Sequence, residues 1–299
     1  MESFQIDYIT GEKLQECADH TIILNIPSNG ASDLIRNQLK NINCKYTYFE
    51  PTGPIQLGND IQSAKSIFVY THILPFFFQK IYPLLTKPFV LISHNSDNCV
   101  DEQYAKFLNE DKIIKWFAQN VNYKHLKLIP IPIGIANAQW PHGNLKIFDD
   151  IKKENNLKNT LVYKNFDINT SQANRWHVHQ STNQNGILMS PKKPYIEYLR
   201  DISRSIFTIC PMGNGIDTHR MWESLYLNTI PIVADCAHNR GFDNLPIVYI
   251  PQGQSKNWNI ITKDFLLAQL QEINNKQFSL DKLKLSYWKN QILEATSIR

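Results

Sequence analysis

The chain has no basic run or stripe: its Lys and Arg are spread thinly over 299 residues and the formal net charge is +4. A partner held mainly by charge, nucleic acid above all, would need such a stripe, so none is expected. The start, MESFQIDYITGEK, lacks a basic segment followed by an apolar one, so it does not read as an export signal. The most apolar stretch, residues 66–92, is broken by His72, Gln79, Lys80, Lys87 and three prolines, which argues against a membrane span. It reads as strand, helix and strand in a core, with a membrane-touching patch at Phe76, Phe77 and Phe78 as the alternative. Five scattered cysteines (Cys17, Cys44, Cys99, Cys210, Cys236) form no CxxC pair. They read as reduced thiols rather than a disulfide frame or zinc site, and a cytoplasmic location is expected. Asn169 opens a glycosylation sequon, which carries no weight without export. No Asp-x-Asp triplet, HExxH, GxSxG, full GxGxxG or GxxxxGK[ST] occurs.

What the chain does have is an even alternation of apolar strand-like runs with helical patterns. With 42% hydrophobic and 19% charged residues it is globular in composition, and its length fits two domains or one large α/β domain. Residues 21–27, 45–51, 66–72, 89–95, 112–118 and 126–134 read as strands, and residues 32–42, 75–85 and 101–110 as helices between them. A polar interval with Pro, Gly and clustered charge, residues 137–159, marks a boundary. Beyond it the pattern restarts with TLVYKNF, GILMSP, IFTICP, IPIVA and LPIVYI, and the chain ends in two helical patterns, KDFLLAQLQEIN and LDKLKLSYWKNQILEA. The expectation is two α/β halves, residues 1–145 and 146–299, each with a parallel sheet covered on both faces. Ligands of open α/β sheets bind beyond the carboxyl ends of strands. The loops to search are therefore residues 27–30, 71–74, 94–98, 165–170, 190–193 and 210–218.

One of those loops is unusually rich in chemistry: CPMGNGIDTHRMWESLYLNTIPIV, residues 210–233. Pro211 cannot continue a central ladder, and Gly213 and Gly215 allow a sharp turn and close approach of a ligand. Asp217 is positioned to cap the following helix. The helix start then offers N–H groups and a positive dipole end to a phosphate, with Arg220 one turn in as a forked donor. Glu223 falls on nearly the same face and is placed to accept ribose hydroxyls. Together these suggest a nucleoside diphosphate lying across a helix start. The alternative is an ordinary surface helix with an Asp cap and a solvated Arg–Glu pair.

The same passage, in the form CPxGNGxDTHRxWExLxxxxIPIV, resembles the nucleotide-sugar-binding motif of exostosin-like glycosyltransferases, including short forms encoded by large DNA viruses of algae and protists. YKNFDINTSQANR (163–175) and WFAQNVNYKHLKLIPIPIGIANAQWPHGN (116–144) are similar to further segments of that group. The resemblance implies a GT-B architecture: two Rossmann-like domains facing across a cleft, acceptor in the first and donor in the second, with the C-terminal helices packing back toward the first. It implies that Arg220 contacts the diphosphate, Glu223 the ribose and Arg175 the leaving phosphate. Asn165, Pro211, Gly213, Asn214, Gly215, Asp217, Thr218 and His219 are motif positions and so further donor contacts. The expected partners are a nucleotide-sugar donor, most simply a UDP-sugar, and a glycan or glycoprotein acceptor. UDP-xylose is the first of several open choices of donor. A GDP-sugar transferase such as a fucosyltransferase, and a module that binds nucleotide or glycan without turnover, are the alternatives.

Such a transfer needs cations for the departing diphosphate and a base for the acceptor hydroxyl. GT-B enzymes as a class use side chains and helix dipoles in place of a metal, so no cofactor is expected. In LISHNSDNCV, Asp97, or His94 oriented by it, is the candidate base for an inverting displacement; the plainer reading makes Asp97 a cap near Cys99 and His94 a core histidine. His72 is the reserve base and an acceptor contact. Trp140, beside Pro141 in the polar interval, is the candidate platform for acceptor stacking, while Trp116, Trp222 and Trp258 read as core. His177 and His179 diverge if their segment is helical, so no metal site is expected there.

Overall fold

The computed structural model describes residues 7–25, 30–40, 42–251 and 257–298. They fall into two compact units, Met1–Gly143 with Lys284–Arg299, and Asn144–Leu283.

The first unit carries six parallel strands: β1 (His20–Leu24), β2 (Tyr46–Phe49), β3 (Ser66–Tyr70), β4 (Phe89–His94), β5 (Ile113–Ala118) and β6 (Leu128–Pro130). Their order is β2-β1-β3-β4-β5-β6. This is a doubly wound arrangement, its order reversing between β1 and β3. Every residue of β3 and β4 is buried, as expected of central strands whose sequence is a continuous apolar run. The edge strand β2 instead alternates, with Tyr46 and Tyr48 turned outward. Phe77 and Phe78 are buried and only Phe76 is half-exposed, so the run of phenylalanines belongs to the core and forms no surface patch. Phe78 stacks on Phe107 at 4.0 Å, and Trp116 behind it donates its indole N–H to Ser93 Oγ at 2.9 Å.

The second unit has four parallel strands: β7 (Thr160–Tyr163), β8 (Ser205–Ile209), β9 (Ile230–Ala234) and β10 (Val248–Ile250). Among the described residues they lie in chain order, β10-β9-β8-β7, without reversal. Each connection steps in one direction, so this sheet has no switch point among the described residues. GILMSP forms no strand. It has no regular structure; Ser190 N donates to the Lys164 carbonyl at 2.8 Å, and Ile187 packs into the core with Phe207, Trp258 and Leu266.

The chain passes between units at Gly143, close to the expected boundary, but does not end in the second. Helix Lys263–Asn274 stays with the second unit, whereas helix Leu285–Thr296 belongs to the first and packs on β4 and β5 through buried Trp288 and Ile292. Its expected place in residues 146–299 is corrected accordingly. The physical tie is Asp7, whose carbonyl and carboxylate accept from Leu285 N at 3.0 Å and Ser286 N at 2.6 Å. A residue from the other end of the chain thus does the work of a helix cap.

No described helix is long and apolar enough to cross a membrane.

Candidate functional site

β7 and β8 are neighbours, with Tyr163 opposite Thr208, so the loops after them, residues 164–171 and 210–218, emerge side by side. Arg175, in the first turn of helix Gln172–Gln184, spans both. Its Nε donates to the Met212 carbonyl at 3.0 Å and its Nη1 to the Asp167 carbonyl at 2.7 Å. Asn174 joins the same loop, donating to the Gly213 carbonyl at 3.1 Å. Nη2 of Arg175 makes no hydrogen bond among the described residues and points at Gly213, where a Cβ would sit 2.9 Å from it. Gly213 is therefore needed for the approach of a guanidinium rather than for a left-handed turn. Burial, and after it the charge of Arg220, push the Arg175 pKa down to about 10, so it stays cationic at neutral pH.

Arg220 lies in the first turn of helix His219–Tyr226. Its Nε is buried without a partner and it forms no ion pair among the described residues. The guanidinium sits 5.9 Å over the Tyr198 ring. Burial opposes its charge, but Tyr198, Cys210 and Glu223 outweigh burial and raise its pKa. Two cations, coupled to each other and each with an unused donor, thus adjoin the glycine loop. Such an arrangement can hold an anion with two or more acceptor oxygens.

The remaining motif residues are placed differently from expectation. Thr218, not Asp217, occupies the N-cap position, and its side chain makes no capping bond. Asp217 is 4% exposed and turned into the core. Its carboxylate accepts from Trp222 Nε1 at 2.9 Å and Thr218 N at 2.8 Å, and lies 3.2 Å from His238 Nε2. It anchors the loop from beneath, because the indole and imidazole are stronger attractions for a buried carboxylate than an exposed helix end. Glu223 is also buried, and both its oxygens are engaged by hydroxyls, Tyr195 at 2.9 Å and Tyr198 at 2.8 Å. Asn165 donates to Tyr163 Oη at 2.9 Å and to the Pro191 carbonyl at 3.2 Å. Pro211 is buried, Asn214 exposed, and His219 half-buried at the helix start.

Sequence reasoning missed Tyr195 and Tyr198. They are three apart on helix Tyr195–Ser203, a spacing that puts both on one face, but nothing local points that face at a glutamate 25 residues on. Lys164 was missed as well. It is 1% exposed, donating to the His179 and Ile187 carbonyls and to Asn183 Oδ1 at 3.1, 2.9 and 2.7 Å, and burial lowers its pKa to about 8.

In the first unit, His94 ends β4 and is 1% exposed. Its Nδ1 faces Asn95 Oδ1 at 3.0 Å and its Nε2 the Pro132 carbonyl at 2.9 Å. Asp97 does not orient it, so the expected His94–Asp97 relay is corrected: both ring nitrogens are used structurally. Asp97 is exposed and caps no helix among the described residues, the next helical turn being capped by Asp101 through Gln103 N. His72 is half-buried just past β3, 5.9 Å from the Tyr70 ring, and its imidazole makes no hydrogen bond among the described residues. Burial lowers its pKa, leaving it neutral at pH 7. Trp140 is 42% exposed and stacks near His142 at 6.3 Å, whereas Trp116, Trp222 and Trp258 are buried. Residues 27–29 of the first candidate loop lie outside the described residues. No group of three His, Cys, Asp or Glu able to hold a metal ion occurs among the described residues, and His177 and His179 lie within one helix.

No family model matches the chain, and no curated protein does so. Among solved structures it is similar to a glycosyltransferase from Rickettsia africae ESF-5, at 10% identity over 94% of this chain and 98% of the other, with a TM-score of 0.42, a likeness too loose to carry an argument.

Proposed function

We propose that the second unit binds the diphosphate of a nucleotide-sugar donor at the Cys210–Arg220 loop, and that the protein transfers the sugar to a glycan hydroxyl. The observation that carries this reading is the buried, unpartnered Arg220 Nε beside a second guanidinium whose Nη2 faces Gly213. A buried guanidinium N–H without an acceptor is costly, and a bound diphosphate would supply acceptors for it and further negative charge. The motif's resemblance to nucleotide-sugar sites turns a general anion site into a donor site. In the transfer, the bond from the anomeric carbon to the diphosphate oxygen breaks, Arg175 and Arg220 take up the negative charge left on that oxygen, and the acceptor oxygen forms the new bond as its proton passes to a base. With His94 engaged through both ring nitrogens, we assign the base to Asp97, with His72 and Trp140 as acceptor contacts and inversion as the outcome. A UDP-sugar is the first donor to try and a GDP-sugar the second.

The engagement of His94 also favours a second reading, a module that binds without turnover. Thermal melts against UDP, GDP, ADP and CMP, repeated on Arg175→Ala and Arg220→Ala, test the donor site: a ligand that binds the folded state must raise its melting temperature. No rise with any nucleotide, in folded protein at millimolar ligand, would sink it. Release of nucleotide from UDP-sugars with and without glycan acceptors separates enzyme from module.

A further inference from the structure

Glu223 is the residue expected to hold a ribose, yet its geometry is that of an internal anchor. A carboxylate that reads a vicinal diol must present both oxygens to two incoming hydroxyls. Here Oε1 and Oε2 already receive the hydroxyls of Tyr195 and Tyr198, at 2.9 and 2.8 Å. The residue is 4% exposed. The two tyrosine rings lie 5.9 Å apart at 22° to each other, on one face of one helix, so each restrains the other. Tyr198 in turn lies beneath Arg220, and its far edge meets Tyr163 at 6.1 Å. To receive a ribose, the site would have to give up two buried charge-assisted hydrogen bonds and move a ring that supports Arg220.

We infer that Glu223 is a positioning residue which fixes Tyr195 and Tyr198 and through them Arg220, that it takes no ribose hydroxyl, and that the site selects its ligand by the diphosphate. This deepens the donor-site reading and rests on it. As a substrate class it points to nucleoside diphosphates admitted by Glu223 without regard to the 2′-hydroxyl, deoxyribonucleotide donors included. The two roles differ in which ligands they touch. A carboxylate bonded to ribose adds affinity for the nucleotide only, whereas one that merely neighbours the cations opposes every anion that binds them.

The experiment is calorimetric titration of inorganic pyrophosphate, UDP and 2′-deoxy-UDP into wild type and Glu223→Gln. The expected result is that the substitution changes pyrophosphate and UDP affinity by the same factor, to within about three-fold of each other, and leaves the UDP to 2′-deoxy-UDP ratio unchanged. Loss of about ten-fold or more for UDP with pyrophosphate unmoved, or a ribose preference that vanishes in the variant, would overturn the inference. Should Glu223→Gln not fold, Tyr198→Phe gives the same contrast: it should weaken pyrophosphate and UDP equally by loosening Arg220, and no effect on pyrophosphate counts against the anchor. If none of the three ligands binds the wild-type protein, the donor-site reading falls. The anchor then stands or falls on a melting cycle of Glu223→Gln with Tyr195→Phe and Tyr198→Phe, additive losses refuting it and coupled losses supporting it.

Discussion

Arg175 Nη2 occupies the space that a side chain on residue 213 would need: a Cβ built on Gly213 would lie 2.9 Å from it. Gly213→Ala therefore pushes on the tip of a flexible side chain rather than on backbone. The fold should tolerate it, with a loss of about 1 kcal/mol or less, while nucleotide affinity falls about ten-fold as Arg175 is displaced. Paired melting and titration measurements decide this; equal affinity in the variant would remove Arg175 Nη2 from the site.

Asp217 makes the opposite prediction. Its carboxylate serves Trp222, Thr218 and the neighbouring His238 from inside the unit. Asp217→Ala would leave a buried indole N–H without its acceptor and should cost about 2–4 kcal/mol of stability, seen as a lowered urea midpoint. A variant of unchanged stability that merely bound nucleotide less well would return Asp217 to the donor contacts.

The contrast between these neighbours shows what the sequence could carry. Strands such as FVLISH were legible because a strand buried on both faces must be apolar throughout, and Arg220 was singled out by its place one turn beyond a glycine loop, whereas Arg175 entered only through the resemblance and meets that loop through the fold. The turn of Asp217 into the core was not legible, since it depends on His238, which reaches it from another segment. The resemblance implied that the C-terminal helices return to the first unit, but not which: Leu285–Thr296 joins it, tied by Asp7, while Lys263–Asn274 stays with the second. GILMSP was misread for a related reason: apolar periodicity reports burial, and Ile187 is buried without joining a ladder.

Lys164 links the second unit to pH. Its folded pKa, about 8, lies below the ordinary 10.5, so above about pH 8 the folded chain has lost a proton that the unfolded chain still holds. Stability contributed here is therefore constant below pH 8, rises between about 8 and 10.5, and is level beyond. Lys152 and Lys158, also lowered to about 8 by burial, add the same trend, so the test is a difference. Lys164→Met strands two carbonyls and Asn183 Oδ1. It should lower stability at pH 7 by about 1–3 kcal/mol and flatten the rise between pH 8 and 10.5 relative to wild type. Parallel pH profiles for both proteins would show that the ammonium is fully stabilised by its three acceptors.

His94 and Asp97, expected to act together, should separate cleanly on mutation. His94 is buried, with both ring nitrogens against oxygens of Asn95 and Pro132. Removing the imidazole by His94→Ala opens a cavity and leaves the Pro132 carbonyl without that donor, so the melting temperature should drop with a stability loss of about 2–4 kcal/mol. Asp97 is exposed, and its isosteric change to Asn should leave the melt within about 0.5 kcal/mol of wild type. If Asp97 is the base, the same change lowers the turnover number by about 10²–10⁴ without weakening nucleotide binding, which we propose rests on Arg175 and Arg220. The reverse pattern, a stable His94→Ala protein without turnover and an Asp97→Asn protein with full turnover, would require the buried histidine to leave both its partners during the reaction, and would return the base assignment to His94.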